Sequence, residues 1–384
     1  MTRQLLTHAT VVLANELRSN LTVLIEGDRI AALDPDQTAG AVEIDLDGQI
    51  LMPGMIDLHC DALEKEVEPR PGVTFPLDLA CAQADRRNAA AGITTVFHAL
   101  SFANREFGVR NNNVAAQIGR AIHAWQPHAL IDNKFHARFE VNDPTAQPIL
   151  SDLFDEGMIE LISFMDHSPG QGQFRDVESF RRYIANVYKA DDAVLDAIIE
   201  QKTKGATGAT ARMQQLAAKA RTCNVAIASH DDDTEAKIAI VGELGATISE
   251  FPINLETALV ARTRGMSTLF GAPNILRGKS QSGNMRALDA VTAGVADCLC
   301  SDYSPVSLLP AVMKLPELAE ISLSRAIGLV TRNPARAAGL HDRGEIAPGK
   351  RADLVAVQRV GNLPHPGQVW SRGRLVLAAS HVLQ

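Results

Sequence analysis

The sequence contains no run of the roughly 20 consecutive apolar residues that a membrane-spanning helix requires. Its first thirty residues also lack the basic, apolar and cleavage-site succession of a secretory leader. Both absences point to a cytoplasmic protein that does not engage a membrane. Cysteine is sparse: Cys60, Cys81, Cys223, Cys298 and Cys300 are an odd number without CxxC spacing, which argues against a disulfide framework and against a zinc ribbon. Positive charge is also short, with 37 Lys and Arg against 45 Asp and Glu, a formal net charge of −8. The cations form no run or stripe that would reverse this balance locally, so nucleic acid is not an expected partner. An anionic substrate would need a few arginines and lysines gathered in one cleft. What is present is bulk: 384 residues, 46% of them hydrophobic, suit one barrel of about 250 residues plus an accessory module.

The two ends of the chain have strand character. Thr10–Leu13, Leu21–Ile25 and Ile30–Leu33, with a turn at Glu26-Gly27-Asp28, read as hairpins, and Ala352–Val357, Gln368–Trp370 and Leu375–Leu377 match them at the other end. Residues 1–52 and 340–384 are therefore expected to form one composite β-sandwich domain around an interior of 53–339. In that interior, short apolar runs alternate with helical patterns at Leu79–Ala91, Val114–Trp125, Ser179–Tyr188 and Thr210–Arg221. This alternation is the sequence form of a parallel α/β fold, with the (β/α)8 TIM barrel as its common closed version. The strands are expected at Met55–Leu58, Thr94–Phe97, Phe135–Val141, Ile159–Phe164, Val225–Ser229, Ala246–Ser249, Thr268–Gly271 and Ala296–Ser301, with Cys298 and Cys300 in one buried strand.

Barrel enzymes place their chemistry at the C-terminal ends of the strands, and His59, Asp61, Glu140, His167, His230 and Asp302 stand there. His59 and Asp61 are two apart, so an extended chain presents both on one face. Imidazole and carboxylate are suitable ligands for divalent zinc, iron or manganese. Each residue also has a bland alternative. His59 could cap a loop while Asp61 opens a helix, and His230 could be structural, with Asp231 to Asp233 as a solvated loop. Glu140 could pair with Arg138, and Asp302 could cap the helix after Pro305. Such coincidences at the same ends of different strands are improbable together, and a metal site is the better joint account. An acid at the Asp302 position could ligate a metal and also accept a proton from attacking water.

A second set is cationic and polar: Arg70 in a Pro-Arg-Pro-Gly loop, and Arg277 and Lys279 in a segment rich in Gly, Ser and other donors. That segment does not match GxxxxGK[ST], so it is not a nucleotide P-loop; plain surface loops also carry these residues. The glycine-rich continuation after His167 adds Gln173 as a substrate-contacting candidate.

Pro-Gly-Met-Ile-Asp at 53–57, Gly-Ile-Thr-Thr-Val at 92–96, Asn-Pro-Ala at 333–335 and Gly-Glu-Ile-Ala-Pro-Gly-Lys-Arg-Ala-Asp-Leu at 344–354 resemble the amidohydrolase superfamily, and they span the chain. Pro-Arg-Pro-Gly-Val at 69–73, Met-Asp-His-Ser-Pro-Gly-Gln-Gly-Gln at 165–173, Ser-His-Asp-Asp at 229–232, Glu-Phe-Pro at 250–252, Gly-Ala-Pro-Asn at 271–274 and Ser-Asp-Tyr at 301–303 resemble, more narrowly, the PhnM-type diphosphatases of the carbon-phosphorus lyase pathway. His59, Asp61, His167, His230 and Asp302 fall on matching motifs, and Glu140 corresponds to an acidic position after the third barrel strand. The resemblance implies hydrolysis of α-D-ribose 1-methylphosphonate 5-triphosphate to its 5-phosphate and pyrophosphate, a small phosphorylated partner, and one or two divalent metals. Zinc is the first expectation, with iron and manganese as alternatives; a homo-oligomer is left open. Departures from the patterns are His-x-Asp in place of His-x-His, no carbamate-forming lysine at the fourth strand, Glu250 where many relatives carry histidine, and Ala62, Phe75 and Gln281 near the expected substrate. Two rival readings are a C–N hydrolase of cyclic amides or heterocycles and a scaffold of the same fold without catalysis.

Overall fold

The computed structural model describes residues 2–103, 111–167, 205–280 and 283–379, together with Glu178, Arg181 and Glu200. Gln173, Gln281 and most of the helix expected over Ser179–Tyr188 lie outside the described residues.

The N-terminal strands are β1 (Arg3–Val12), β2 (Leu17–Glu26), β3 (Arg29–Leu33), β4 (Val42–Asp45) and β5 (Ile50–Pro53). The C-terminal strands are β14 (Leu354–Val360), β15 (Leu363–Ser371) and β16 (Arg374–Ala378). They join in one sheet ordered β16-β15-β14-β5-β1-β2-β3, with β4 paired to β1. The seam between the two ends of the chain is the antiparallel pair β5·β14, where Met52 faces Val355 and Leu51 faces Ala356. Gly27 turns the β2–β3 hairpin at φ 62°, a left-handed conformation that glycine adopts without a Cβ penalty. Leu6, Val23, Ile25, Leu51, Leu354 and Trp370 make the core of this module. Trp370 is fully buried and its indole N–H donates to Gln4 Oε1 at 3.1 Å, so packing and polar satisfaction both tie the last strands to the first.

The interior of the chain forms β6 (Met55–Cys60), β7 (Ile93–Phe102), β8 (Asp132–Glu140), β9 (Leu161–Met165), β10 (Ala226–His230), β11 (Ile248–Glu250), β12 (Ser267–Gly271) and β13 (Cys298–Cys300). All neighbours pair in parallel and in sequence order. The ring closes at the C-terminal ends, where Cys60 and Asp302 bridge: the Asp302 N–H donates to His59 O at 2.9 Å and the Asp61 N–H to Asp302 O at 3.0 Å. Below this bridge the segment Leu329–Val330 fills the gap, accepting from Leu299 N at 2.8 Å and Ile56 N at 2.7 Å. Each expected barrel strand is present, and Cys298 and Cys300 lie buried on β13 as expected. Ile56, Leu58, Phe97, Leu161, Ala228, Ile248 and Leu269 fill the barrel axis, so it is a packed core rather than a channel.

Helices cover the outside. In Asn112–Trp125 the buried positions Ala115, Ile118, Gly119 and Ile122 recur at helical spacing, and the Asn111 side chain caps the start by accepting from Asn113 N at 3.0 Å. Gly119 permits close approach to the sheet, because a Cβ there would stand 2.6 Å from the Phe135 ring.

At the N-terminal end of the barrel, Asp132 on β8 is an anionic hub. It pairs with Arg343, with Arg351 Nη1 at 3.0 Å and with Arg372 Nη2 at 3.4 Å, while Arg343 and Arg351 also donate to Thr95 Oγ1 on β7. Arg343 and Arg351 lie just before β14, and Arg372 lies in the turn between β15 and β16. The hub therefore fixes the barrel floor to the composite sheet. Burial opposes the charge of Asp132, but Lys134, Arg343 and Arg351 together hold its carboxyl well below the ordinary carboxylate value.

Candidate active site

Three strands leave the barrel in an unusual way at their C-terminal ends. Asp231, Phe251 and Asp302, which follow β10, β11 and β13, have φ of 51°, 53° and 56°. Non-glycine residues rarely take this left-handed conformation. Each keeps its N–H in the ladder, donating to Glu250 O at 2.9 Å, Leu269 O at 2.8 Å and His59 O at 2.9 Å respectively. The chain thus turns sharply without losing a ladder hydrogen bond.

The centre of the cluster is Glu250, fully buried at the end of β11. Its Oε1 lies 3.1 Å from His59 Nδ1 and its Oε2 lies 3.2 Å from His230 Nδ1. An ionised carboxylate only accepts, so both imidazoles donate from Nδ1. The two rings stack with centroids 5.5 Å apart, and the Phe251 ring sits edge-on to both, at 5.1 and 5.2 Å. Burial drives the His230 pKa well below the ordinary histidine value, leaving the ring neutral and able to ligate. Burial alone would raise the Glu250 pKa, but the facing imidazoles of His136 and His230 hold it below normal.

A second group shares His230. His167 Nδ1 lies 3.1 Å from Glu140 Oε2, and the His167 N–H donates to Glu140 Oε1 at 3.3 Å. The Nε2 atoms of His167 and His230 both stand 3.9 Å from Asp231 Oδ2. The donor atoms of His59, His230 and Glu250 lie within 4.8 Å of one another, as do those of His167, His230 and Asp231. Nitrogen and carboxylate donors converging at this spacing fit one or two divalent metal ions.

Asp61 and Asp302 occupy the closure between the first and last strands. Burial, and then the charge of Asp61, push the Asp302 pKa up to about 8, while Arg138 opposes the shift. Asp302 does not cap a helix; the 3-10 turn Pro305–Ser307 follows Ser304 and has no side-chain cap. Beneath them, buried Asp57 accepts from Ser301 N at 3.1 Å and His59 N at 3.2 Å, binding β6 to β13 where the two donor-bearing ends meet. Burial raises its pKa to about 7.

The cationic candidates stand apart from this buried cluster. Arg277 ends the helix Ala272–Arg277 and donates to Tyr303 Oη at 3.3 Å, next in sequence to Asp302. Lys279 follows it and is exposed; Arg70 is exposed in a tight turn closed by Val73 N donating to Arg70 O at 2.9 Å.

Several site residues were not assigned from sequence. Glu250 was noted only as a departure. Asp231 and Asp232 are buried rather than a solvated run, with Asp232 accepting from the hydroxyls of Ser229 and Ser249 at 2.5 Å each. His136 and Arg138 share the inward face of β8 with Glu140. The detectable signal was the alternation His-x-Arg-x-Glu at 136–140. His136 bonds Leu58 O through Nδ1 at 3.0 Å and Ser163 Oγ through Nε2 at 2.9 Å, and burial lowers its pKa to about 3.

Residues 50–376 match the Amidohydrolase family. This chain belongs to that family. Among curated relatives, the alpha-D-ribose 1-methylphosphonate 5-triphosphate diphosphatase of Escherichia coli (strain K12) is 37% identical over 378 residues, covering 97% of this chain and 100% of that protein. Among solved structures, N-acetyl-D-glucosamine-6-phosphate deacetylase from Mycobacterium smegmatis aligns with a TM-score of 0.64 at 18% identity, covering 97% of this chain and 100% of that one. Dihydropyrimidinase from Brevibacillus agri NCHU1002 aligns with a TM-score of 0.62 at 16% identity, over 98% and 95%. The structural likenesses establish the fold; the family match makes the chain an amidohydrolase-type hydrolase, a class that is typically metal-dependent. Among the described residues no helix is long and apolar enough to cross a membrane.

Proposed function

We propose that this chain is a metal-dependent diphosphatase of phosphonate metabolism, hydrolysing α-D-ribose 1-methylphosphonate 5-triphosphate to the 5-phosphate and pyrophosphate. The observation that carries the reading is the end-to-end 37% identity with the Escherichia coli diphosphatase, without unmatched length in that relative. The site is compatible with it. His59, Asp61, Glu140, His167, His230 and Asp302 are the proposed ligands for one or two divalent ions, zinc first, and the geometry adds Glu250 and Asp231 to that set. Such an ion, when bound, lowers the pKa of water and polarises a phosphoryl oxygen. The oxygen of water attacks the α-phosphorus, the bond from that phosphorus to the bridging oxygen breaks, and pyrophosphate departs with the bridging oxygen. Asp302 is the proposed acceptor of the water proton, because it follows the last barrel strand at the ring closure, beside the proposed ligands His59 and Asp61. His136, held between Leu58 O and Ser163, fixes the wall behind Glu250. Arg70, Gln173, Arg277 and Lys279 are proposed to meet the outer phosphates as charge-assisted or polar donors.

The test is product analysis with purified, zinc-loaded enzyme. The ribose triphosphate should yield pyrophosphate and the 5-phosphate, with oxygen from isotopically labelled water in the 5-phosphate. Ammonia or ring opening from cyclic amides, without pyrophosphate release, would favour the C–N hydrolase reading instead.

A further inference from the structure

Arg138 is buried on β8, with 7% of its surface exposed, in the same inward-facing row as His136 and Glu140. Its position alone would be ordinary for a structural ion pair. Its bonding is not. The nearest carboxylate oxygen, Asp61 Oδ2, is 3.9 Å from Nη1, well beyond the 2.7–2.9 Å of a charge-assisted hydrogen bond. Among the described residues its guanidinium makes no hydrogen bond, and Nε is fully buried without an acceptor. A guanidinium carries five N–H donors and is always charged, and buried groups of this kind are nearly always paired. Leaving one unsatisfied is costly unless a ligand completes it.

The surroundings indicate which ligand. Arg138 stands on β8 between His136 and Glu140, 3.9 Å from Asp61, and its charge is felt by Asp302, Asp231, His230 and Glu250. Among the described residues, Lys237 is a second cation beside this cluster, and it is already committed, donating to His230 O at 2.7 Å and Asp231 O at 3.2 Å. An anionic substrate approaching this many carboxylates needs an opposing charge with unused donors, and a planar fork matches two oxygens of a tetrahedral phosphoryl group.

We infer that Arg138 is the inner phosphoryl-binding residue of this site, taking two oxygens of a substrate phosphoryl group on its forked N–H donors. This rests on the proposed triphosphate reading, and it places recognition of the phosphoryl group nearest the metal ligands on β8 rather than on the exposed loops. Arg138 also offsets the repulsion between that group and Asp61.

The experiment is calorimetric titration of the purified, metal-loaded enzyme with inorganic phosphate and inorganic pyrophosphate, for the parent, Arg138→Met and Arg138→Lys. The lysine variant keeps the charge that faces Asp61 and Asp302 but loses the fork, so it guards against a folding or metal-loading defect in the methionine variant. Phosphate and pyrophosphate Kd should rise about tenfold or more in both variants, with bound metal unchanged in Arg138→Lys. Parent-like affinity in a metal-loaded Arg138→Lys or Arg138→Met protein would overturn the inference. The reaction is scored separately. A parent that binds phosphate through Arg138 yet releases no pyrophosphate loses the proposed function while the anion site stands. A parent that hydrolyses the triphosphate while its variants bind and turn over normally keeps the function and loses the site.

Discussion

Replacing Glu250 by glutamine tests the organisation of the centre, because the two side chains have the same shape and differ in what they can accept. The carboxylate serves two acceptor positions at once, to His59 Nδ1 at 3.1 Å and to His230 Nδ1 at 3.2 Å, with no exposure to water that could substitute. Glutamine offers one oxygen and one NH2 group. It can satisfy one ring, but it points donors at the other ring's Nδ1–H. That ring must then rotate or move its proton to Nε2, and a protonated nitrogen cannot bind a metal. The loss is at least one hydrogen bond to a charged group, about 1.5–3 kcal/mol, which converts to roughly a tenfold to 150-fold weaker metal affinity. This agrees with the roughly 10–100-fold found when the carboxylate partners of metal-binding histidines are changed. The same range applies whether Glu250 orients the rings or also ligates, since both roles need its second oxygen. The assay is competition with a chromophoric chelator at neutral pH, on a variant whose circular dichroism matches the parent. A Glu250→Gln protein whose metal affinity stays within about threefold of the parent, a difference below 1 kcal/mol, would refute the argument.

Asp302→Asn should retain triphosphate binding but lose kcat on the order of 10²-fold or more in steady-state pyrophosphate release; near-normal kcat would mean that another group takes the proton. Arg70→Ala and Lys279→Ala should each lower kcat/KM for the triphosphate roughly tenfold without changing metal content, and neutral amide substrates should not respond. Asp132→Asn should destabilise the fold by about 3 kcal/mol at neutral pH, because it leaves Arg343 and Arg351 buried beside a neutral amide while Asp342 and Asp353 still hold part of their charge. The carboxyl of Asp132 is depressed in the folded state, so its stabilisation is complete above the unfolded aspartate value of about 4 and disappears as pH falls through the folded value. The gap in denaturation midpoint between variant and parent should therefore be full at neutral pH and close in strong acid; a gap independent of pH would show that the hub acts through packing instead.

The fold was largely legible because barrel strands advertise themselves as short apolar runs that lead into polar residues, and β6, β10 and β13 do so at His59, His230 and Asp302. Glu250 follows the same rule on β11, yet β11 is only three residues, Ile248–Glu250, and a strand that short gives little pattern from which to fix its end. Arg138 was hidden for a different reason. An arginine two residues from an acid suggests a local pair, whereas on β8 both residues face inward toward different groups: Arg138 toward Asp61 after β6, and Glu140 toward His167 after the neighbouring β9. The burial of Asp231 and Asp232 depends on Lys237, Ser229 and Ser249 and on the approach of β11, so a run of three acids in a row could not disclose it. Arg70 sits in a local turn with Val73, Lys279 follows the helix that Arg277 ends, and among the described residues Arg277 meets Tyr303, a neighbour far off in sequence.

The left-handed exits of β10, β11 and β13 belong to the same design. A non-glycine residue held at such φ costs on the order of 1 kcal/mol, more for a bulky ring than for aspartate, whose short polar side chain tolerates the region. Glycine would remove that cost at all three positions. At Asp231 and Asp302 it would also remove the carboxylates, and at Phe251 it would remove the ring that lies edge-on against both His59 and His230. That ring occupies the apolar side of the imidazole stack, opposite in character to the Glu250 carboxylate, and the two together limit how far either histidine can turn. Strain of this kind persists only where surrounding contacts over-determine the backbone. Here the constraint comes from the retained ladder bonds of Asp231, Phe251 and Asp302, which tie every sharp turn to a neighbouring strand. At the opposite end of the barrel the arginine–aspartate hub holds the starts of β7 and β8 instead, tying them to the segment that leads into the C-terminal strands.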